Sequence, residues 1–262
     1  MSFLIMDGVG YGAEAKTLFR NMTSPADSGR KRIINNLIKR LKGDGTWGLL
    51  DVFWVMASHN QQASRLNWKT PGTYTLTETN APTWTLDKGY TGNGSNMYLN
   101  TGFTPSTNGV NFIQNSAALG AYSRSDVAGA AAYDMGSNTP TPTRFSTLNI
   151  RWSDDTFQSN INDDLSMSSS NTTTLGLYST VRTSSTATAQ YKNGVSAATG
   201  SDTSVGLPAS AAYIICRNND GTAAGFTSKQ YAMAYIGSGS INQLLLFNAI
   251  EEYMDAIGSG IV

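Results

Sequence analysis

The feature that most constrains this sequence is a succession of short β-type segments that begins after Pro71. Each segment is rich in residues that favour strands and is bounded by Gly, Asn, Asp, Ser or Pro. The segments are 73–79, 96–102, 111–122, 129–136, 144–152, 174–182, 186–192, 211–217 and 230–237. Around ten short strands at this spacing, without a βαβ unit of roughly 30 residues among them, predict a sandwich of two antiparallel sheets.

The sequence of one turn within this region predicts its type. Lys192 is followed by Asn193 and Gly194, and both central positions of a type I′ turn need a positive φ, which Asn-Gly adopts at low cost. We therefore expect the strands before and after this turn to pair as an antiparallel hairpin.

Helices are predicted at both ends of the chain. A helix capped by Asp27 or Ser28 and ended by Gly43 carries one apolar stripe, and the apolar segments 47–57 and 58–68 complete a small helical cap. Near the C-terminus, Ser240 precedes a second helix with a broad apolar face. The predicted organisation is an N-terminal arm (1–13), a helical segment (14–70), the sandwich (71–239) and a C-terminal helix packed on it (240–262).

Charge narrows the classes of partner. Only 14% of the residues are charged, and 18 basic and 18 acidic residues give a formal net charge of zero. Such a chain has no overall field that recruits nucleic acid or an anionic membrane surface, so we expect neither partner. The charge is divided, however, because ten basic and four acidic residues lie between Glu14 and Thr70, whereas the remainder of the chain is acidic.

Catalytic and metal sites have little support in the sequence. His59 is the one histidine, and no nucleophile elbow surrounds a serine, so we expect a capping or surface histidine. Neighbouring carboxylates at 154–155 and 163–164 point to opposite faces of a strand and are expected to mark turns rather than a glycosidase pair. The Asn-rich loops lack a calcium-loop pattern. Because Cys216 is the single cysteine, the chain forms no internal disulfide. We expect no enzyme activity, metal or cofactor.

Aromatic residues on the predicted strands are the stronger candidates for function. Sugars stack on Trp and Tyr rings, while polar side chains at loop tips hydrogen-bond their hydroxyl groups. Most of these rings are expected in the core, and a subset on one face is expected to form a glycan-binding shelf. The aromatic residues are Tyr133, Trp152, Tyr178, Tyr191, Tyr213 and Tyr235. The predicted carbohydrate-binding residues are Tyr133, Trp152, Arg217, Asn218, Asn219 and Asp220.

An ordered set of segments resembles a group of bacteriophage virion proteins. The segments are 45–68 (GTWGLLDVFWVMASHNQQASRLNW), 90–103 (YTGNGSNMYLNTGF), 176–182 followed by YKNG at 191–194, and 234–257 (AYIGSGSINQLLLFNAIEEYMDAI). The resemblance covers most of residues 14–258. It implies a concanavalin A-like (laminin G-like) jelly roll and a non-enzymatic structural or accessory protein of the virion, on the capsid or tail.

This resemblance also sets the expected partners. The chain is expected to be made in the host cytoplasm, to contact other virion proteins or sister subunits, and to bind surface glycans. We expect virion docking through the Gly-rich start and the basic helix, at Tyr11, Arg30, Lys31, Arg32, Lys39 and Arg40. The alternatives are a glycoside hydrolase or lyase acting on host polysaccharide and a soluble lectin that acts outside any particle.

Overall fold

The computed structural model describes residues 10–261, which form two stacked β-sheets and a helical layer. The helices are α1 (Ala13–Arg20), α2 (Ser28–Gly43), α3 (Thr46–Leu49), α4 (Gln61–Ser64), α5 (Pro105–Asn108) and α6 (Gln243–Ala256). The strands are β1 (Leu50–Val55), β2 (Thr77–Thr79), β3 (Thr83–Thr85), β4 (Gly89–Thr91), β5 (Tyr98–Asn100), β6 (Ala117–Ser123), β7 (Met135–Pro140), β8 (Thr143–Asn149), β9 (Thr156–Asp163), β10 (Met167–Ser170), β11 (Gly176–Arg182), β12 (Thr188–Lys192), β13 (Val195–Gly200), β14 (Tyr213–Ile214), β15 (Arg217–Asn219), β16 (Thr222–Ala224) and β17 (Gln230–Gly237).

The strands form two mainly antiparallel sheets, as the period-two segments predict. Sheet A has the order β13-β12-β11-β6-β17-β4-β3, and β1 also pairs with β17. Sheet B has the order β10-β9-β8-β7-β14-β5-β2. The β15–β16 hairpin joins sheet B through a parallel pairing of β15 with β7, which is the one parallel pairing among the described strands. The predicted fold class, a two-sheet sandwich with flanking helices, is confirmed.

The fold has two separate hydrophobic cores, and sheet A contributes to both of them. The core between the sheets contains fully buried Trp54, Leu119 and Tyr178 from sheet A and Leu148 and Ile161 from sheet B, among others. The other core lies between sheet A and the helices α1, α2 and α6, so both faces of sheet A are covered. Within residues 10–261, neither core includes the outer face of sheet B.

The predicted helical segment is wrong for residues 50–55. Leu50–Val55 forms β1, because alternate side chains of this apolar run enter the two cores: Val52 and Trp54 pack between the sheets and Phe53 packs against the helices. A strand buried on both faces is apolar throughout, and its periodicity cannot be told from that of a buried helix. The domain boundary predicted at residue 70 therefore cuts through sheet A.

The two longer predicted helices form, with changes at their ends. Asp27 caps α2 by accepting a hydrogen bond from the backbone nitrogen of Arg30 at 2.8 Å. Asn242 rather than Ser240 caps α6, through a hydrogen bond from the backbone nitrogen of Leu245. Most of the predicted N-terminal arm lies outside the described residues. Its last glycine, Gly12, donates from its backbone nitrogen to Oδ1 of Asn35.

The hairpin predicted at Asn193-Gly194 is present. Both residues have positive φ, 51° and 77°, and β12 pairs antiparallel with β13. A β-carbon at Gly194 would lie 2.6 Å from the Cα atom of Leu244 in α6, so glycine is also required for the close approach of this turn to the helix.

Replacement of Gly194 by Ala is expected to lower the free energy of unfolding by about 2–3 kcal/mol, through left-handed backbone strain and the collision with α6. Gly221→Ala is the matched control, because Gly221 also has a positive φ but has no atom within 4 Å of the added carbon. It is expected to cost about 1 kcal/mol, the backbone contribution alone. Equal losses in urea denaturation of the two variants would show that α6 does not constrain the turn.

Candidate functional site

Several aromatic side chains belong to neither core. They are half-buried, except Tyr213, which is 7% exposed, and all lie on or beside strands of sheet B. Aromatic rings that a fold does not use for packing are candidates for contact with a ligand. The residues are Tyr133, Phe145, Trp152, Tyr213 and Phe226.

Tyr133 is the centre of the first group. Its ring meets that of Trp152 edge to face, with the centroids 5.8 Å apart and the planes at 73°. The Cζ atom of Arg217 lies 4.1 Å from the centroid of Tyr133 and 5.9 Å from that of Phe145. Arg217 Nη1 also donates a hydrogen bond to the hydroxyl of Tyr133 at 2.8 Å. We call Tyr133, Phe145, Trp152 and Arg217 the Arg217 cluster.

Local chain geometry explains why these four side chains meet. Tyr133 precedes β7, Phe145 lies in β8, Trp152 follows β8 at the turn into β9, and Arg217 begins β15. The chain reverses direction between β14 and β15, where Ile215 has a φ of 78°. This reversal changes the pairing with β7 from antiparallel to parallel and places the β15–β16 hairpin beside Tyr133.

A second aromatic group lies next to the Arg217 cluster. Tyr98 in β5 stacks on Tyr213 in β14 with centroids 4.6 Å apart, and Phe226 lies 6.2 Å from Tyr98. Gly225, the neighbour of Phe226, approaches Tyr133 so closely that a β-carbon there would lie 2.6 Å from the ring. The two groups are therefore joined through residues 225–226.

The predicted sugar-binding residues divide into two sets. Tyr133, Trp152 and Arg217 are brought together, whereas the three polar residues that follow Arg217 build the β15–β16 turn. Asn218 is buried and bonds the carbonyl of Ala211 and the backbone nitrogen of Gly221, and Asn219 accepts from Asn138. Asp220 is exposed at the turn with a φ of 50°. The three polar residues 218–220 therefore form the turn that the sequence indicated. The N–H donors without a partner in the protein belong to Arg217.

The other candidate aromatic residues pack in the two cores. Three aromatic residues of the two groups were not predicted from the sequence. Tyr178 and Tyr235 are fully buried, and Tyr191 packs against the helical core. Phe145 could have been found from the alternation in β8, since Leu148 faces the core and residues at odd positions face outward. Tyr98 and Phe226 had no comparable signal, because their strand and loop are too short for a clear period.

The predicted docking residues are partly neutralised within the chain. Arg30 pairs with Asp87 at 2.8 Å, Arg40 with Asp44 at 3.0 Å, and Lys31 lies over the ring of Phe19. Tyr11 also contacts Phe19, edge to face at 5.3 Å. Arg32 and Lys39 are exposed. The positive surface that α2 presents to solvent is therefore smaller than its sequence indicates.

The residues considered for catalysis have structural contacts. His59 Nε2 lies 3.0 Å from the carbonyl oxygen of Ser24, in agreement with a capping histidine. Asp155 has a positive φ in a turn, as expected, but Asp163 forms a buried ion pair with Arg182 and is not simply a turn residue. Burial raises the pKa of the Cys216 thiol to about 12, so this group is a poor nucleophile.

Among residues 10–261, no group of three or more His, Cys, Asp or Glu side chains is arranged to hold a metal ion. None of the described helices has both the length and the apolar run that a bilayer crossing needs.

Comparison with known proteins finds similarity in fold. No protein-family model and no curated protein sequence matches the chain. A mutant of Trypanosoma rangeli sialidase with trans-sialidase activity matches with a TM-score of 0.53 and 11% identity, over 90% of this chain and 40% of the sialidase chain. The same sialidase in complex with sialic acid matches with a TM-score of 0.51 and 10% identity, over 88% and 40% of the two chains.

A third similar structure is a domain of an extracellular arabinanase from Geobacillus stearothermophilus, in complex with arabinotriose. It has a TM-score of 0.41 and 12% identity over 77% of this chain and 98% of that domain. The chain spans 40% of the length of the sialidase chains that it matches. At these identities the likeness to the sialidases concerns the fold, and it agrees with the two-sheet sandwich described above.

Proposed function

We propose that this protein is a carbohydrate-binding β-sandwich whose site is the Arg217 cluster on sheet B. The observation that supports the proposal is that the two sheets are covered to different extents. The helices and the second sheet cover both faces of sheet A, while half-buried aromatic rings that serve neither core lie on sheet B. The rings of Tyr133 and Trp152 present apolar surface beside the N–H donors of Arg217.

This combination suits the chemistry of a sugar. One face of a pyranose ring exposes C–H groups that stack on an aromatic ring, and its hydroxyl groups need directional donors and acceptors nearby. The adjacent half-buried rings of Tyr98 and Phe226 would extend the apolar surface, so that an oligosaccharide fits better than a monosaccharide. The sialidase to which the chain is similar binds sialic acid, which supports a glycan as the class of ligand here.

We further propose the setting that the sequence resemblance implies: a non-enzymatic structural or accessory protein of a phage virion, made in the host cytoplasm. The support for this setting is the resemblance of residues 14–258, and exposed Arg32 and Lys39 on α2 are candidates for contact with an acidic neighbouring subunit. Mass spectrometry of purified particles tests it, and absence of the chain from them would leave a free lectin. Release of reducing sugar from a bound polysaccharide would instead favour the hydrolase alternative.

Replacement of Trp152 by Ala is expected to weaken glycan binding roughly 30-fold, the effect of removing a central aromatic contact worth about 2 kcal/mol. A glycan array first identifies ligands of the unmodified protein, and isothermal titration then compares the variants.

Tyr191→Ala is the matched control, because Tyr191 is a half-buried tyrosine that packs on the helical side of sheet A. Its affinity is expected to stay within about twofold of the unmodified protein, since it touches no residue of the cluster. If the array shows no ligand, or if both variants bind as well as the unmodified protein, the Arg217 cluster is not a carbohydrate site.

A further inference from the structure

Arg217 is a half-buried arginine without an acidic partner among the described residues, a property that it shares with Arg144. Half-buried Arg30, Arg65 and Arg151 and fully buried Arg182 each lie within 4.0 Å of a carboxylate. No carboxylate among residues 10–261 lies that close to Arg217, although its side chain is half-buried. An arginine that is partly removed from water without a counter-ion is a binding position for an anion from outside the chain.

The free donors of Arg217 form one edge of its guanidinium. Nη1 is occupied by the hydroxyl of Tyr133, and the Tyr133 ring lies against the planar group. Nε is buried without any acceptor, and Nη2 donates to none of the described residues. The Nε and Nη2 hydrogens point in parallel directions, which matches the spacing of the two oxygens of a carboxylate. A buried donor without a partner is costly. Because Nε is buried, a ligand oxygen reaches it only when the Arg217 side chain shifts, and the new hydrogen bond then removes this cost.

We propose that the glycan ligand is acidic and that its sugar carboxylate binds the Nε–Nη2 edge of Arg217. This inference rests on the proposed carbohydrate-binding function and names its substrate class. In a uronic or sialic acid the carboxylate is attached directly to the sugar ring. A ring stacked beside Tyr133 and Trp152 therefore carries its carboxylate towards an arginine that touches the same tyrosine.

The neighbouring acidic groups leave this position open to an anion. Asp155 lies near Trp152, and its Oδ1 accepts from Arg151 Nε at 2.7 Å. Asp154 accepts a hydrogen bond from Thr156 Oγ1. Asp220 is exposed at the tip of the β15–β16 turn. With a formal net charge of zero, the chain provides no long-range attraction, so the preference for an acidic sugar has to come from Arg217 and has to weaken in high salt.

The test compares ligands that differ only in the acid. Titration of oligogalacturonate against its methyl ester, and of sialyllactose against its methyl ester, is expected to show at least about tenfold tighter binding for the acid in at least one pair, equivalent to roughly 1.4 kcal/mol. Arg217→Gln is expected to abolish this preference, so that the acid and its neutral partner bind with equal affinity. Arg217→Lys keeps the charge and loses the paired donors, so an intermediate preference is expected.

Arg32→Gln is the control for loss of one positive charge, because Arg32 is exposed on α2, and it is expected to keep the full preference. Equal affinity for acid and neutral ligands in the unmodified protein overturns the acidic-sugar inference and leaves the proposed carbohydrate binding intact. Equal binding of a sulfated analogue overturns the assignment of a carboxylate. Failure of every ligand, including the glycan array, overturns the proposed function and this inference together.

Discussion

Replacement of Lys229 by Met is expected to lower the free energy of unfolding by about 3–5 kcal/mol, because it leaves the carboxylate of Asp134 buried without its counter-ion. The two side chains are 1% and 0% exposed, and Nζ lies 2.9 Å from Oδ1 of Asp134. The same carboxylate accepts hydrogen bonds from the hydroxyl of Tyr231 and from the backbone nitrogen of Ile150. These two donors remain in the variant and do not replace a full positive charge.

Thermal denaturation is the simplest measurement of this effect. At about 2–4 °C per kcal/mol for a chain of this size, the expected fall in Tm is roughly 6–20 °C. Lys88→Met is the matched control, because Lys88 is exposed, and it is expected to change stability by less than about 0.5 kcal/mol. The double variant with Asp134→Asn is expected to recover part of the loss, since no buried charge then remains. Equal Tm values for the Lys229 and Lys88 variants would contradict the prediction.

This ion pair also shows what the sequence could not reveal about the fold. Asp134 and Lys229 are 95 residues apart, and nothing local marks either as buried. Sheet A brings Lys229 to the start of β17, and the irregular chain before β7 turns Asp134 towards it. The alternating segments predicted the strands and the sandwich because they depend on local periodicity. Contacts made by single polar residues depend on strand order, which periodicity does not specify.

The candidate site was predictable to a similar extent. Tyr133 and Trp152 could be proposed because they lie on predicted strands and such rings stack on sugars, and Arg217 because it lies beside a turn. Their meeting depends on the reversal of the chain at Ile215, whose positive φ is unusual for a β-branched residue and leaves no pattern in the sequence. The strand β1 was missed for a different reason, since burial on both faces removes the alternation that identifies a strand.

Arg182→Met is the second substitution expected to have a large effect, again about 3–5 kcal/mol in the free energy of unfolding. Arg182 is fully buried, and its Nη2 lies 2.8 Å from Oδ2 of Asp163. Its other donors bond the backbone carbonyls of Ile161, Ser185 and Asp202. The variant leaves these carbonyls without that donor and leaves Asp163 with hydrogen bonds from Asn160 and the backbone only.

The loss in this variant is expected to depend on pH. Burial raises the pKa of Asp163 above its ordinary value of 3.8, and the hydrogen bond and charge of Arg182 oppose that rise. Without Arg182 the pKa in the folded state rises further, so the folded chain keeps a proton that the unfolded chain releases as the pH increases above 3.8. Stability of the variant therefore falls as the pH rises through this window, and it falls more steeply than that of the unmodified protein.

Urea denaturation just above the ordinary aspartate pKa and at neutral pH measures this slope. The double variant Asp163→Asn with Arg182→Met is expected to lose the additional slope and to recover part of the stability at neutral pH, because the buried acid is gone. If the single variant loses the same stability at both pH values, the lost carbonyl contacts account for the loss, and the uncompensated buried charge of Asp163 does not. The two variants together thus separate the hydrogen bonds of Arg182 from its role as the counter-ion of Asp163.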